Sequence, residues 1–352
     1  METLKKFFLA SNSTEGFVSY FDTSYNPFDG WKAYIIKGGP GTGKSTFMKR
    51  LVNEAIKRGH EPEICPCSSD PDSLDAVVIP KLKMVVMDGT APHTVDPKYA
   101  GAVENILNFG EFWDSDQLGS KHDEIIAVTN KNKALHKIAS LYLLTLGNLL
   151  KDNISAQQQA INFPKLEGYT KKLCKKYIKE TGKRRYENIR FLSGVSPKGI
   201  VSFGDTILKY TENLIVFKDN YGGVSHEILK EIRKFALDRN FEIITFKNAF
   251  LPQYIDHIVI PELNIAFVTE NDYTTFETDA RRVHFERFVD VSRLKSKRLK
   301  YNKKTFKELL GYATQTLKEA KKVHDDLEKL YIGAMDYDKL NAFCDEFINR
   351  VV

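Results

Sequence analysis

The chain repeats itself, and this internal duplication limits the folds open to it. Residues 8–23 (FLASNSTEGFVSYFDT) and residues 191–206 (FLSGVSPKGIVSFGDT) are identical at 8 of 16 positions without a gap. Residues 75–82 and 256–263 then match at 5 of 8 positions with nearly the same offset. Ordered matches at a nearly constant spacing indicate two consecutive copies of one structural unit.

Both copies show the same order of strands and helices. In the first copy, strands are predicted at residues 33–37, 63–67, 76–79 and 84–87, and a helix at residues 46–58. Strands that alternate with helices are typical of an α/β protein with a parallel sheet. Apolar residues at helical spacing follow in both copies, starting at Leu135 and at Phe306. We therefore predict an α/β fold of two domains, residues 1–186 and 187–352, each with a parallel sheet and a helical extension.

Composition and charge exclude several classes of protein. The 352 residues are 42% hydrophobic and 28% charged, which is ordinary for a globular chain and excludes collagen and largely disordered proteins. The formal net charge of +6 is too small to require a nucleic-acid partner. The four cysteines are too widely spaced for a disulfide framework or a zinc site. No apolar run reaches the roughly 20 residues of a membrane span, so we expect a cytoplasmic protein without a signal peptide or a membrane partner.

Residues 38–46 read GGPGTGKST, which matches the phosphate-binding pattern G-x-x-x-x-G-K-[ST], the Walker A motif. The loop follows a predicted strand and precedes a predicted helix, as the pattern requires. Glycines allow backbone N–H groups to surround phosphate oxygens, the helix N-terminus adds partial positive charge, and the lysine reaches the β- and γ-phosphates. The predicted ATP-binding residues are therefore Gly38, Gly39, Pro40, Gly41, Thr42, Gly43, Lys44, Ser45 and Thr46.

Two residues are predicted to hold the Mg²⁺ ion that accompanies ATP. One ligand is the Ser45 hydroxyl. The other is Asp88, because it ends the apolar run KMVVMD, and a carboxylate at such a strand end usually binds the metal of a nucleotide. Asp88 and Lys44 are thus also the main catalytic candidates. No Glu follows Asp88, since the next residue is Gly89. The group that activates water must come from elsewhere, or the phosphoryl acceptor is not water.

The second copy has lost this chemistry. Its aligned loop, residues 218–226, reads KDNYGGVSH, with Ser225 in place of Lys44 and Thr269 in place of Asp88. We therefore predict one working nucleotide site and one degenerate site. Two roles for the second half stay open: it only supports the first half, or it closes over the first site and supplies a cation.

Four more residues are candidates for the site, on separate observations. His93 lies in the segment at residues 88–96, which differs entirely between the two copies. Glu111 is replaced by an arginine in the second copy, so it is a candidate base that orients water or an acceptor. Arg281 and Arg282 are candidate arginine fingers, since guanidinium geometry suits phosphate oxygens.

Two strongly basic stretches leave a further partner open. Residues 165–185 and 281–304 hold many lysines and arginines and few acidic residues. They are solvated helix faces, ligands of a polyphosphate, or a surface for nucleic acid. The small net charge of the whole chain does not favour the last of these.

The motifs together resemble a known family. GGPGTGKST is followed by CSSDPDSLD, then VVIP, MDGTAPH and NFGEFWD. This succession, with the duplicated F-L-x-x-x-S-x-x-G framework, is similar over nearly the whole chain to an uncharacterised bacterial, largely Firmicutes family of tandem P-loop ATPase-like proteins. The resemblance implies two tandem P-loop NTPase domains, ATP binding and hydrolysis. In that family both loops commonly keep the Walker A pattern, whereas here the second loop has departed from it.

The sequence therefore predicts a Mg²⁺-dependent ATP-binding protein, an ATPase with one working site in the first half and a regulatory or structural second half. Two alternatives stay open. The missing Glu after Asp88 favours a nucleotide or small-molecule kinase, and the basic stretches favour a nucleic-acid-associated NTPase switch. The sequence does not predict which acceptor or protein partner is used.

Overall fold

The structure is a computed structural model that describes residues 3–92, 94–294 and 296–352. The strands in this part of the chain are β1 (Ala10–Ser13), β2 (Gly16–Ser19), β3 (Lys32–Lys37), β4 (Glu63–Pro66), β5 (Leu74–Ile79), β6 (Met84–Asp88), β7 (Glu104–Asn108), β8 (Tyr186–Phe191), β9 (Ser193–Ser196), β10 (Gly199–Ser202), β11 (Leu214–Lys218), β12 (Glu242–Lys247), β13 (Ile255–Ile260), β14 (Ile265–Glu270) and β15 (Arg282–His284). The α-helices are α1 (Lys44–Lys57), α2 (Ser115–Ser120), α3 (His122–Gln159), α4 (Phe163–Tyr177), α5 (Asp205–Leu208), α6 (Gly223–Asp238), α7 (Lys297–Ile332) and α8 (Tyr337–Val351). The strands and the helix predicted for the first copy all form, with slightly different bounds.

Two sheets hold most of the strands, and they share one strand order. The first is ordered β4–β5–β6–β3–β7, and the second β12–β13–β14–β11–β15, with β8 added beyond β12. In the first sheet β3 is parallel to β6 and β7, whereas β5 is antiparallel to β4 and β6. The equivalent strands of the second sheet pair in the same senses. The α/β class is confirmed, but the prediction of parallel sheets is wrong, because both sheets are mixed.

Short connections explain why the sheets are mixed. A single 3-10 turn, Pro80–Leu82, joins β5 to β6, followed by Lys83 in the left-handed conformation with φ of 47°. A parallel connection needs a crossover of about a dozen residues or more, so a link this short returns the chain antiparallel. The second sheet repeats the arrangement with Pro261–Leu263 and Asn264, whose φ is 48°.

The repeated F-L-x-x-x-S-x-x-G framework forms two small hairpins, β1–β2 and β9–β10, with equivalent pairing. The Ser13 hydroxyl donates to the Gly16 carbonyl oxygen at 2.9 Å and accepts the N–H two residues after itself. Ser196 makes the same two bonds around Gly199. The two glycines have φ of +85° and +92°, which glycine adopts without strain. The serine and the glycine kept in both copies are therefore the residues that close this tight turn.

Reciprocal contacts join the two halves about an approximate twofold axis. Phe8 and Phe191, which occupy the same place in the repeat, exchange both backbone hydrogen bonds at 2.9 Å. The Thr206 hydroxyl accepts from the Lys6 N–H and donates to the Lys6 carbonyl. Thr23 makes the equivalent pair of bonds to the second half. Each half thus binds the first extended segment of the other.

The two longest helices, α3 and α7, pack side by side in opposite directions. Tyr142 stacks on Tyr312, and farther along Asn302 donates to the Asn153 side chain at 2.9 Å. Neither helix, nor any other in the part of the chain described, is long and apolar enough to cross a membrane. The pair carries the chain from each sheet towards the other one.

The short helices that follow are exchanged between the halves. After α3, helix α4 places Leu166 and Leu173 in the core of the second sheet. After α7, helix α8 places Leu340 and Phe347 in the core of the first sheet, where Phe347 meets Phe47 of α1. The predicted division after residue 186 therefore separates α4 from the sheet on which it packs, and each sheet is completed by a helix from the opposite half.

This exchange predicts that a change in α8 destabilises the core of the first sheet. Phe347→Ala removes a fully buried ring from the core under α1, and such truncations cost about 3–5 kcal/mol. We expect a loss of that size in the free energy of unfolding, measured by denaturant titration. The matched control is Glu346→Ala on the exposed side of the same helix, expected to change stability by less than about 0.5 kcal/mol. Equal stability of the two variants would contradict the exchange.

Candidate nucleotide-binding site

The predicted phosphate loop, residues 38–43, connects β3 to α1 at the carboxyl edge of the first sheet. Gly41 and Gly43 have φ of +69° and +80°, so both positions require glycine. Gly43 is the N-cap of α1 and makes no side-chain cap. The structure gives the N–H groups of Lys44, Ser45 and Thr46 no acceptor among the residues it describes. These N–H groups, at the positive end of a helix, form an anion-binding surface.

Lys44 folds back over its own loop. Its Nζ donates to the carbonyl oxygens of Gly39 at 2.7 Å and Gly38 at 3.2 Å. It also lies 3.6 Å from Oδ2 of Asp88, and the two side chains are only 11% and 15% exposed. A cation is thus held beside the anion-binding N–H groups, with a carboxylate within ion-pair distance.

The two predicted metal ligands come from adjacent elements. Asp88 ends β6, which pairs in parallel with β3 so that Asp88 lies opposite Ile36. Its Oδ1 accepts the N–H and hydroxyl of Thr90, and its Oδ2 faces Lys44. The Ser45 hydroxyl accepts the Leu74 N–H at 3.0 Å. Each group therefore keeps an oxygen lone pair to which no described residue donates.

Glu111 lies at the same sheet edge but is exposed. It belongs to the 3-10 turn Phe109–Phe112 that follows β7, and Asn108 donates to its carboxylate at 3.0 Å. Phe109 of this turn packs behind the phosphate loop, where its Cβ lies 3.1 Å from the position that a Cβ would take on Gly38. The structure does not bring the Glu111 carboxylate into contact with Lys44. His93 lies outside the residues that the structure describes.

Arg281 and Arg282 are placed on the second sheet. The Arg282 guanidinium donates to Glu270 at 2.8 Å and to the carbonyls of Thr278 and Phe276. Arg281 is exposed. It lies near Tyr169 of α4, where its charge opposes the rise in the Tyr169 pKa that burial causes. Neither arginine is brought together with Lys44, because Arg282 is bonded within the second sheet and Arg281 lies near α4, which packs on that sheet.

The basic stretches are distributed over α4 and the beginning of α7. Several of their cations are paired, as with Arg298 and Asp152 at 3.4 Å and Lys303 and Asp272 at 2.6 Å. The lysines of α4 stand mostly on its exposed side. These residues do not converge on the phosphate loop.

The end of α7 covers the phosphate loop, an arrangement that the sequence reasoning missed. A Cβ on Gly39 would lie 2.7 Å from the Tyr331 ring, and one on Gly41 would lie 2.7 Å from the carbonyl oxygen of Glu328. From α8, the Tyr337 hydroxyl donates to the Gly41 carbonyl at 2.7 Å. The second half therefore does reach the site, but with α7 and α8 instead of an arginine.

Glu328 brings a negative charge to this cover. Its carboxylate lies 3.5 Å from His324 Nε2. The hydrogen bond from His324 is the main cause that holds the pKa of Glu328 below its ordinary value, against desolvation, and the backbone N–H of Gly41 also lowers it. A charged carboxylate therefore stands within reach of one of the loop's N–H groups.

In the second loop, residues 219–222, side chains of the protein accept from the N–H groups at the start of the helix. Helix α6 begins at Gly223 after only four loop residues, whereas six precede α1. Gln157 Oε1 accepts the N–H groups of Gly223 and Val224 at 2.8 and 3.1 Å. The buried Asp219 carboxylate accepts the Ser225 N–H at 2.9 Å and a bond from Gln157 Nε2 at 2.7 Å. Protein groups thus occupy the N–H groups at this helix start.

The two helix ends that approach the loops are equivalent. Gln157 stands five residues before Asn162, the N-cap of α4, and Tyr331 stands five residues before Asp336, the N-cap of α8. The short similarity between AINFPKL and AMDYDKL marks this equivalence in the sequence and could have indicated that α7 covers the first loop. At equivalent places, the aromatic ring of Tyr331 lies over the first loop and the side-chain amide of Gln157 lies over the second loop.

His226 aligns with Ser45, the predicted metal ligand, and makes the same structural hydrogen bond. His226 Nδ1 accepts the N–H of Ile255 at the start of β13, as the Ser45 hydroxyl accepts that of Leu74 at the start of β5. Burial lowers the pKa of His226 to about 4, so its ring is neutral at pH 7 and can accept this bond. The second half has therefore retained the scaffold bond and lost the hydroxyl.

Comparison of the chain with family models, with curated proteins and with solved structures finds no match. The assignment of the site therefore depends on the residues and geometry described above.

The filled second loop predicts a purely structural role for Asp219. Asp219→Ala leaves buried N–H groups without an acceptor, which costs about 1–3 kcal/mol for each group. We expect the free energy of unfolding to fall by about 2–4 kcal/mol while ATP affinity, measured by calorimetry, stays unchanged. Asp238→Ala, on the exposed side of α6, is the control and should change neither quantity. A loss of ATP affinity in Asp219→Ala without a loss of stability would contradict this role.

Proposed function

We propose that this protein binds Mg²⁺·ATP at residues 38–46 and hydrolyses it slowly, with the second half acting on that single site. On this proposal the chain is a tandem pair of P-loop domains, of which the second is degenerate. The observation that carries it is the contrast between the loops. Asp219 and Gln157 fill the second one, whereas the first has helix N–H groups that no described residue accepts from, beside Lys44 and Asp88.

The present contacts of Lys44 favour an exchange of partners on nucleotide binding. Two neutral carbonyl oxygens now accept its protons. Charged phosphate oxygens are stronger acceptors, and hydrogen bonds to ionised groups are roughly twice as strong as neutral ones. The loop N–H groups would bind the same phosphates, and the free lone pairs of Ser45 and Asp88 would hold Mg²⁺.

A second candidate function is phosphoryl transfer to an acceptor other than water. The residue after Asp88 is Gly89, and a Cβ there would lie 2.2 Å from the Ile35 side chain. A glutamate directly after Asp88 would displace the Ile35 side chain of β3, so the packing disfavours a water-activating carboxylate at that position. Appearance of phosphate on an added nucleotide or small molecule, rather than as free phosphate, would decide for this kinase.

The first test of the proposal is Lys44→Ala. The variant removes the charge that would bridge the phosphates, so we expect ATP affinity to fall by about a hundredfold or more, the equivalent of about 2.7 kcal/mol. Titration calorimetry measures the change. Lys57→Ala, which removes an exposed lysine from the far end of α1, is the control and should bind like the wild type. Equal ATP affinity in all three proteins would refute the site.

The second test separates Asp88 from the loop. Asp88→Asn removes a metal-binding charge but keeps the side chain size, so we expect it to weaken binding of ATP with Mg²⁺ and to leave binding without Mg²⁺ unchanged or stronger. The ratio of the two affinities, measured by calorimetry with Mg²⁺ and with a chelator, is the readout. An unchanged ratio would make Asp88 only the ion-pair partner of Lys44.

A further inference from the structure

We propose that Glu328 competes with the phosphate of the nucleotide for the phosphate loop: α7 lies with its backbone against Gly41, and the Glu328 carboxylate that it carries weakens ATP binding until it is displaced. This inference rests on the proposed function, because it gives the second half a defined action on the same loop. Glu328 belongs to α7 and lies far from the phosphate loop along the chain.

Packing brings Glu328 to the loop through more than its charge. The Glu328 carbonyl lies 2.7 Å from where a Cβ on Gly41 would stand, so the backbone of α7 touches that of the loop. Tyr331 touches Gly39 one turn farther on, and Tyr337 donates to Gly41 from α8. The end of α7 thus lies against the loop, so the Glu328 carboxylate is close to the loop N–H groups.

The same face of α7 carries a short row of charges. Lys321, His324 and Glu328 are spaced so that they share one side of the helix. Lys321 lies 3.4 Å from Asp70, in the loop that leads to β5, and His324 lies 3.5 Å from Glu328. The row therefore begins with Lys321 near the loop that leads to β5, and it ends with the negative Glu328 near Gly41.

The second half shows that protein acceptors can occupy this geometry. There, Gln157 from the equivalent helix end and Asp219 bind the helix N–H groups and are both buried. At the first loop, the Glu328 side chain is 38% exposed, and the N–H groups of Lys44, Ser45 and Thr46 have no acceptor among the described residues. A phosphate can displace a partly exposed carboxylate of this kind, whereas the filled second loop is closed.

A carboxylate near a phosphate site repels ATP, and its removal should strengthen binding. Two unit charges about 5 Å apart near a protein surface interact strongly enough to change affinity at least on the order of tenfold. We therefore expect Glu328→Gln to bind Mg²⁺·ATP about tenfold more tightly than the wild type, and Glu328→Lys to bind it more tightly still. The gain should shrink as salt is raised, because salt screens charges.

The experiment is a calorimetric titration of the wild type and these two variants with Mg²⁺·ATP, with thermal unfolding to confirm folding. Asp326→Asn and Asp326→Lys change an exposed carboxylate on the same helix and are the matched controls, expected to bind like the wild type. A rise in affinity from Glu to Gln to Lys, absent in the control series, supports the competitor.

Other outcomes overturn it in distinguishable ways. Unchanged affinity in Glu328→Gln means that the carboxylate does not oppose phosphate. Unchanged or weaker affinity with lost turnover makes Glu328 a participant in the reaction, which contradicts competition. If neither wild type nor Glu328→Gln binds ATP, the proposed function itself fails, and the inference fails with it.

Discussion

The phosphate loop stands on a core that two distant parts of the chain build together. Phe47 of α1 packs against Phe347 of α8, and Phe109 behind the loop packs against Phe343. Because α8 reaches the first sheet only after the chain has passed through the second half, the core under the loop is incomplete in the first half alone. The helix exchange is therefore the constraint that makes the two halves one folding unit.

The same constraint gives the second half its access to the site. α8 reaches the first sheet directly after the end of α7, which passes over the phosphate loop and brings Glu328 and Tyr331 against glycines where a side chain would clash. The second loop lies under the end of α3 in the equivalent way. The two loops thus lie under equivalent helix ends, and they differ in whether groups of the described residues accept from the N–H groups at the helix start.

Local features of this fold could be predicted from the sequence because local chemistry determines them. The phosphate loop depends on glycines at fixed spacing, and the repeated hairpins depend on a serine and a glycine, such as Ser13 and Gly16. Asp88 could be placed beside the loop because it ends an apolar strand. The mixed sheet could also have been inferred, since the 3-10 turn at Pro80–Leu82 is too short for a parallel crossover.

Long-range features could not be predicted in the same way. The choice of Arg281 and Arg282 as fingers used only charge and did not foresee Glu270, which binds Arg282 within the second sheet. The cover over the loop depends on where a 36-residue helix ends, and the residues of α7 that face the loop carry no motif. Glu328 resembles any exposed glutamate of a charged helix until the path of α7 is known.

The central claim is that one loop binds nucleotide and its degenerate copy does not. The most direct measurement is the number of ATP molecules bound per chain at saturation, by equilibrium dialysis with Mg²⁺ present. The account predicts one, because Asp219 and Gln157 close the second helix start and Ser225 stands where the first loop has Lys44. Two molecules of comparable affinity per chain, or none, would contradict it.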